Sequence, residues 1–143
     1  MAAPRQDGIL PVSFWADAVL STYQYYAVTA ASTEDYVKRA TGASNPVPIG
    51  ILQDKDGEAV GDGVAVKTFG FTKAVVAACD IAGNGCAIKY GTYLTSGSDA
   101  KLYATGGGDA PACAQAYEAF TSGSRIIEVF FWGAVSGCAV AAS

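Results

Sequence analysis

The chain has 143 residues, enough for one domain with a buried core, and 51% of them are hydrophobic while only 15% are charged. Nine basic against thirteen acidic residues leave a net charge of −4, so there is no cationic surplus to neutralise phosphates and we predict no nucleic-acid partner. The sequence contains no histidine, which excludes Ser-His-Asp and Cys-His nucleophile activation and histidine-based zinc sites. We therefore predict no enzymatic activity and no cofactor.

The low charge has a second implication. A short chain with so few charged residues is typical of a protein whose surface is covered by other protein, although an ordinary small β domain explains the same composition. The first eight residues lack the apolar stretch of a secretory signal, and the uncharged run Val129–Ser143 is too short for a membrane-spanning helix. We predict no membrane association and synthesis in a cytoplasm.

The segment from Ile9 to Leu20 is apolar at nearly every position and fits neither strand alternation nor an amphipathic helix. It contains two large aromatic residues, Phe14 and Trp15. Two interpretations stay open at this point: a strand or short helix packed on its own core, or an arm that docks on a neighbouring molecule, since tryptophan is enriched at interface anchors.

The next segments mix strand and helix signals. Thr22–Ala30 is rich in aromatic and β-branched residues and predicts a strand. Ser32–Thr41 begins with capping hydroxyls and acids and ends in bases before Gly42, which favours a short helix. So short a helix is marginal alone, and a strand remains possible there if pairing overrides propensity.

Beyond Gly42 short apolar runs alternate with turn residues, as in an all-β sandwich or barrel. Local chemistry predicts a helix only over Ala112–Ala119, where Asp109 and Pro111 precede an alanine-rich stretch. The predicted strands are 48–53, 64–69, 71–78, 86–90, 92–95, 101–104 and 125–132.

Four cysteines, at positions 79, 86, 113 and 138, include no CxxC pair, so the sequence gives no support for a zinc or redox site and we predict no metal. The most testable disulfide joins Cys79 to Cys86, because Gly83-Asn84-Gly85 between them predicts a tight turn. The alternative, reduced thiols that behave as small buried hydrophobes, is favoured in a cytosolic protein.

A set of motifs in a fixed order resembles a known family. The sequence is similar, from about Tyr25 to Trp132, to the small capsid decoration, or cement, proteins of tailed phages. The motifs that carry this resemblance are Tyr26-Ala27-Val28, Val47–Gln53, Gly57–Val60, Val64–Val66, Gly70–Val76, Ala114–Ala119 and Arg125–Phe130.

The resemblance implies a mainly β, compact domain of barrel-like or tulip-shaped fold, with at most one or two short helices. It implies a strand, not a helix, over Ala112–Ala119. It further implies a structural virion protein that assembles as a homotrimer on the outer surface of an icosahedral phage head. Its partners would then be the major capsid protein and other copies of itself, and its place the outside of the virion.

The resemblance does not reach the N-terminal segment. We therefore predict an N-terminal arm over residues 1–22, followed by a β decoration domain over residues 23–143. The arm is expected to lie across a neighbouring subunit and not to complete its own core. The predicted partner-binding residues are Ile9, Leu10, Phe14 and Trp15, which need burial somewhere.

One other class of function stays open. In a small-ligand or carbohydrate-binding β-barrel, five tyrosines would line a pocket, whereas in a structural protein they form core and cross-strand pairs. A hydrolase is disfavoured because no motif singles out a carboxylate pair. These tyrosines are Tyr23, Tyr25, Tyr26, Tyr90 and Tyr93.

Overall fold

The structure is a computed structural model that describes residues 7–42, 47–85, 87–105 and 111–133. Within these ranges the chain forms ten β-strands and no helix, which confirms the predicted mainly β class. The strands are β1 (Val12–Ala16), β2 (Ala27–Ala30), β3 (Tyr36–Arg39), β4 (Pro48–Leu52), β5 (Gly63–Lys67), β6 (Gly70–Asp80), β7 (Tyr93–Ser96), β8 (Leu102–Ala104), β9 (Ala114–Ala116) and β10 (Ser124–Phe131).

The strands close into two five-stranded barrels. The first has the order β1-β3-β2-β4-β5 and the second the order β10-β6-β8-β7-β9. Only the β1–β3 and β6–β8 pairs are parallel among these. The longest pairing joins β10 to β6 over eight residues and forms the wall of the second barrel. Closure removes the sheet edges that an open sheet of this size would expose.

Strand alternation explains where the cores lie. In β10, Ile127, Val129 and Phe131 are fully buried, while Ile126, Glu128 and Phe130 alternate with them and face outward. The core of the second barrel is larger than that of the first. The first barrel is filled mainly by small and medium side chains, namely Ala16, Leu20, Val28, Val37, Leu52, Val64 and Val66.

The two barrels pack into one compact unit. Ala27, Ala40 and Ile51 of the first barrel belong to the hydrophobic cluster that fills the second. Backbone hydrogen bonds also cross the junction: the Ala27 N–H donates to the Ala100 carbonyl over 2.9 Å, and the Val75 N–H donates to the Tyr25 carbonyl over 3.0 Å. Shared core and shared hydrogen bonds couple the folding of the two barrels.

The helix favoured by local chemistry over Ser32–Thr41 is wrong, and its open alternative, a strand, is what forms. Residues 32–35 are a turn between β2 and β3, in which the Tyr36 N–H donates to the Thr33 carbonyl and Asp35 adopts φ 66°. Ser, Thr and Asp favour turns for the same reason that they favour helix caps, and Asp tolerates the left-handed region. Pairing of β3 on both sides then decides the conformation.

Two further segments differ from their local signals. The alanine-rich stretch contains β9, which pairs with both β10 and β7, so the strand implied by the resemblance is correct and the helix is wrong. The predicted strand over residues 86–90 is wrong. Among its described residues only Ile88 pairs, in an isolated bridge to Phe120.

The N-terminal segment also departs from expectation. Val12–Ala16 pairs with β5 and β3 of its own chain, and Ala16 and Leu20 are buried in the first core. The expectation that the segment leaves its own core incomplete is therefore wrong for residues 12–20. A closed first barrel requires β1, because this strand joins β3 to β5. Residues 1–6 lie outside the described residues.

Two of the four cysteines, Cys79 and Cys113, lie within the described residues. Cys113 is fully buried, and burial raises the pKa of its thiol to about 12, so it behaves as a small hydrophobe. Cys79 is half-buried and pairs through its backbone with Gly85 across the predicted tight turn, which Asp80 caps. Cys86 and Cys138 lie outside the described residues, so the Cys79–Cys86 pairing stays a prediction.

Candidate partner-binding surfaces

The start of the first barrel exposes large apolar side chains. Leu10 is 80% exposed, Trp15 50% and Ile9 38%. We call these three residues the N-terminal surface. Val12 is 45% exposed, but strand alternation puts it on the face of β1 opposite Trp15. Single exposed apolar side chains are normal on a protein surface, whereas three in one short segment are a candidate protein contact.

Trp15 projects from β1 because strand alternation turns Phe14 inward and the indole outward. Phe14 is half-buried and packs against the first core, while part of its side chain lines the recess beside Trp15. Opposite Trp15 on β5 stands Gly63, where an added Cβ would lie 3.7 Å from the indole ring. An open cavity of about 390 Å³ separates these groups and is lined by Ser13, Phe14, Trp15, Asp35 and Gly63. The structure thus places an aromatic anchor beside a recess.

The largely buried carboxylate of Asp7 holds the start of the N-terminal surface in place. Asp7 accepts hydrogen bonds from the Phe71 N–H over 2.6 Å, the Ile9 N–H over 2.9 Å and the Lys67 ammonium over 3.0 Å. Lys67 also donates to the Ile9 carbonyl. The side chains of Asp7 and Lys67 are only 15% and 9% exposed. Residues 7–9 are therefore held at the link between β5 and β6.

Glycine at position 70 is required by this contact. Its φ is +110°, and a Cβ there would lie 2.2 Å from the Oδ2 atom of Asp7. Only glycine lets the carboxylate approach the Phe71 N–H so closely. The ion pair joins Asp7 to Lys67, sixty positions apart, and no local pattern in the sequence predicts it.

These contacts predict a stability change in acid. The backbone hydrogen bond from Ile9, then that from Phe71 and the Lys67 ammonium, lower the pKa of Asp7 from 3.8 to about 2. Because the folded-state pKa is the lower one, the carboxylate contributes its full stabilisation above about pH 4 and loses it as the pH falls towards 2. Thermal melting between these limits should show a steeper loss for the native chain than for Asp7→Asn.

The matched control for this titration is Asp17→Asn, which changes an exposed carboxylate that makes no side-chain hydrogen bond within the described residues. Its melting temperature should fall with pH as steeply as that of the native chain. Equal slopes for the native chain and Asp7→Asn would show that Asp7 is not held as described.

A second apolar surface covers the outer face of the second barrel. Five rings form a continuous edge-to-face series, with centroid distances of 5.2, 4.9, 5.1 and 5.2 Å between successive members. In order the series is Phe69, Phe130, Phe71, Tyr117 and Tyr90, and we call it the aromatic ladder. Its two end rings are the most open: Phe69 is 47% exposed and Tyr90 65%.

Sheet register explains the ladder. Phe71 on β6 stands directly opposite Phe130 on β10, and both side chains point away from the core. The same row continues across β9 and β7 through Gln115 to Tyr93, whose ring lies 6.2 Å from that of Trp132. Cross-strand aromatic pairs stabilise a sheet, and this row also makes the outer face of the second barrel a candidate contact surface.

The N-terminal surface and the aromatic ladder come together near Phe69. Phe69, the end of the ladder, lies between Lys67 and Gly70, which both contact Asp7. The Asp7 contact therefore brings the N-terminal surface to the Phe69 end of the ladder. The ladder was not predicted from the sequence. Phe69 lies before β6 begins and Tyr117 lies after β9 ends, so strand alternation does not group these rings, and only the pairing of β6 with β10 brings Phe71 beside Phe130.

Removing the central ring tests the ladder's contribution to stability. Phe130→Ala deletes two edge-to-face contacts, and we expect it to lower the free energy of unfolding by about 2–3 kcal/mol. The matched control is Ile126→Ala, on the outer face of the same strand and 50% exposed, which should cost less than about 1 kcal/mol. Urea unfolding of both variants gives the comparison, and equal losses would contradict the ladder.

The five tyrosines of the ligand-binding alternative do not meet in one pocket. Tyr90 and Tyr93 lie on the outer face of the second barrel. Tyr23 packs edge-to-face on Tyr26 and lies under the Arg39 guanidinium. Tyr25 and Tyr26 alone line a cleft, which lies between the barrels.

The described part of the chain holds no group of three or more His, Cys, Asp or Glu side chains placed to bind a metal ion. Nor do these residues include a helix that could span a membrane.

Comparison with known proteins gives a fold relationship. No family model matches the sequence, and no curated protein matches it significantly. Among solved structures, the chain is similar to the N base of head fiber gp8.5 in bacteriophage phi29, with a TM-score of 0.50 and 18% sequence identity. The match covers 85% of this chain and 92% of that one. The two share a fold along nearly their whole lengths.

Proposed function

We propose that this chain is a structural protein of a tailed-phage virion, a decoration protein that binds the outside of the icosahedral head as a homotrimer. The observation that carries the proposal is the fold likeness to a head fiber base, which extends over 85% of the chain. The ordered sequence motifs that resemble cement proteins also support the proposal.

The surfaces agree with such a role. A decoration protein needs contact area and several attachment points, and it needs no groups with tuned pKa values. The N-terminal surface and the aromatic ladder supply apolar and aromatic side chains on both barrels. An acidic chain also avoids nucleic acid released from broken particles.

Trp15 is the residue we expect to contribute most to attachment. It is large, half-exposed and stands beside a recess, which are the properties of an interface anchor. Ile9 and Leu10 extend the same surface, held in place by Asp7. Phe14 contributes by lining the recess. Contact through these residues joins the chain to the major capsid protein, while the trimer multiplies each contact threefold.

Trp15→Ala should weaken binding to phage heads by at least about thirtyfold, the equivalent of losing a contact of about 2 kcal/mol. Its effect on the unfolding free energy should be small, because half of the side chain already faces water. Heads that lack the protein are mixed with the purified chain, sedimented and assayed for bound protein. Ile81→Ala, an exposed apolar residue on the second barrel, is the control and should bind normally.

The oligomeric state tests the remaining part of the proposal. Size-exclusion chromatography with light scattering should give three times the protomer mass of 14.6 kDa, in solution or after release from heads. A chain that is monomeric in both conditions contradicts the trimer. A chain that does not sediment with heads at any concentration contradicts the decoration role.

A further inference from the structure

A cleft between the two barrels shares no lining residue with the N-terminal surface or the aromatic ladder. Its volume is about 480 Å³, within the ~300–1,000 Å³ of small-molecule sites. We propose that this cleft binds a short saccharide. The lining residues are Ser21, Thr22, Gln24, Tyr25, Tyr26, Lys55, Val75 and Ile126.

Both barrels build the cleft. Val75 of β6 and Ile126 of β10 are partners on adjacent strands of the second barrel and supply an apolar wall. Tyr25 and Tyr26 come from the segment that precedes β2, and Lys55 from the loop between β4 and β5. A saccharide presents C–H faces that pack on aromatic and aliphatic side chains and hydroxyls that need polar partners. The wall and the two tyrosines match the first requirement.

Tyr25 is held in an unusual conformation at the mouth of this cleft. Its φ is 70°, in the left-handed region that a bulky residue rarely adopts. Two hydrogen bonds impose it: the Tyr25 N–H donates to the Leu52 carbonyl over 2.7 Å, and its carbonyl accepts from the Val75 N–H. Strain of this kind persists only where the surroundings enforce it, and it is common at ligand sites.

Polar groups that are free to bind a ligand complete the site. Within the described residues, the Tyr25 hydroxyl and the Lys55 ammonium make no hydrogen bond or ion pair. The Gln24 amide donates to the Gln53 carbonyl, which leaves its oxygen as an acceptor. None of the described residues that line the cleft is a carboxylate, so a cationic ligand is disfavoured, while Lys55 suits a neutral or carboxylated sugar.

The test uses the isolated, full-length chain, so its outcome does not depend on capsid binding. Nuclear magnetic resonance titrations are run separately with glucose, N-acetylglucosamine and galacturonic acid. At least one of these should shift the resonances of the cleft residues in a saturable manner. Tyr25→Phe removes only the hydroxyl and should weaken that binding about fivefold, and Lys55→Gln about tenfold for galacturonic acid.

Tyr93→Phe, which removes a hydroxyl from the outer face of the second barrel, is the matched control and should leave binding unchanged. Both cleft variants are conservative, and unchanged melting temperatures establish that they fold. Absence of saturable shifts in the cleft with all three sugars would overturn the proposal. Binding that both Tyr25→Phe and Lys55→Gln leave unaltered would overturn the assignment to this cleft.

Discussion

Replacing Asp7 with alanine is expected to lower the free energy of unfolding by about 3 kcal/mol. The change leaves the Lys67 ammonium buried without its carboxylate and removes the acceptor of two backbone N–H groups, those of Ile9 and Phe71. Removing one partner of a buried pair costs more than the pair itself contributes, because the remaining charge stays away from water. The loss should appear in urea unfolding at neutral pH.

The double variant Asp7→Ala/Lys67→Met serves as the control for this experiment. It removes both charges and keeps most of the volume of the lysine stem, so it should recover part of the stability lost in the single variant. If Asp7→Ala alone costs less than about 0.5 kcal/mol, residues 7–9 are not anchored between the barrels. The N-terminal surface would then not be held in a fixed position by the Asp7 contact.

Gly50→Ala is expected to cost more than about 3 kcal/mol or to prevent folding. Gly50 lies in β4, and a Cβ there would be 2.3 Å from the Val66 side chain and 2.6 Å from the Lys67 carbonyl oxygen. The carbonyl belongs to backbone, so β4 and β5 would have to separate and the first barrel would open. Circular dichroism and thermal melting of the purified variant measure the loss.

Gly63→Ala is the matched control, since it adds the same methyl group to the neighbouring strand β5. Its Cβ would meet only the Trp15 ring at 3.7 Å, which is ordinary van der Waals contact. The control should melt close to the native chain. Equal melting temperatures for Gly50→Ala and the native chain would contradict the described packing of β4 against β5.

The strands that were predictable from sequence are those whose local pattern agrees with their pairing. β4, β5, β6 and β10 fall within predicted apolar runs or overlap most of them, because alternation and flanking turn residues signal them directly. β3 and β9 carry helix signals, and each became a strand because it is paired on both sides. The second partner of each strand, β1 for β3 and β7 for β9, is not adjacent in sequence, and no local pattern predicts that pairing.

The candidate surfaces were predictable only in part. The apolar composition of the N-terminal segment pointed to Ile9, Leu10 and Trp15, which are exposed, but it could not tell that Phe14 faces the core. The closure of two barrels instead of one depends on β1 bridging β3 and β5. The aromatic ladder and the Asp7 contact depend on register and on a sixty-residue separation, which only the folded chain specifies.

The central claim, that this chain decorates the outside of a phage head, is tested most directly by electron cryo-microscopy of the heads of the phage that encodes it, compared with heads assembled without the chain. We predict that the native particles carry additional density on the outer surface of the shell that fits the two barrels, with the N-terminal surface against a neighbouring subunit. Native and deleted heads with identical outer surfaces, or two-barrel density only in the lumen or the tail, would contradict it.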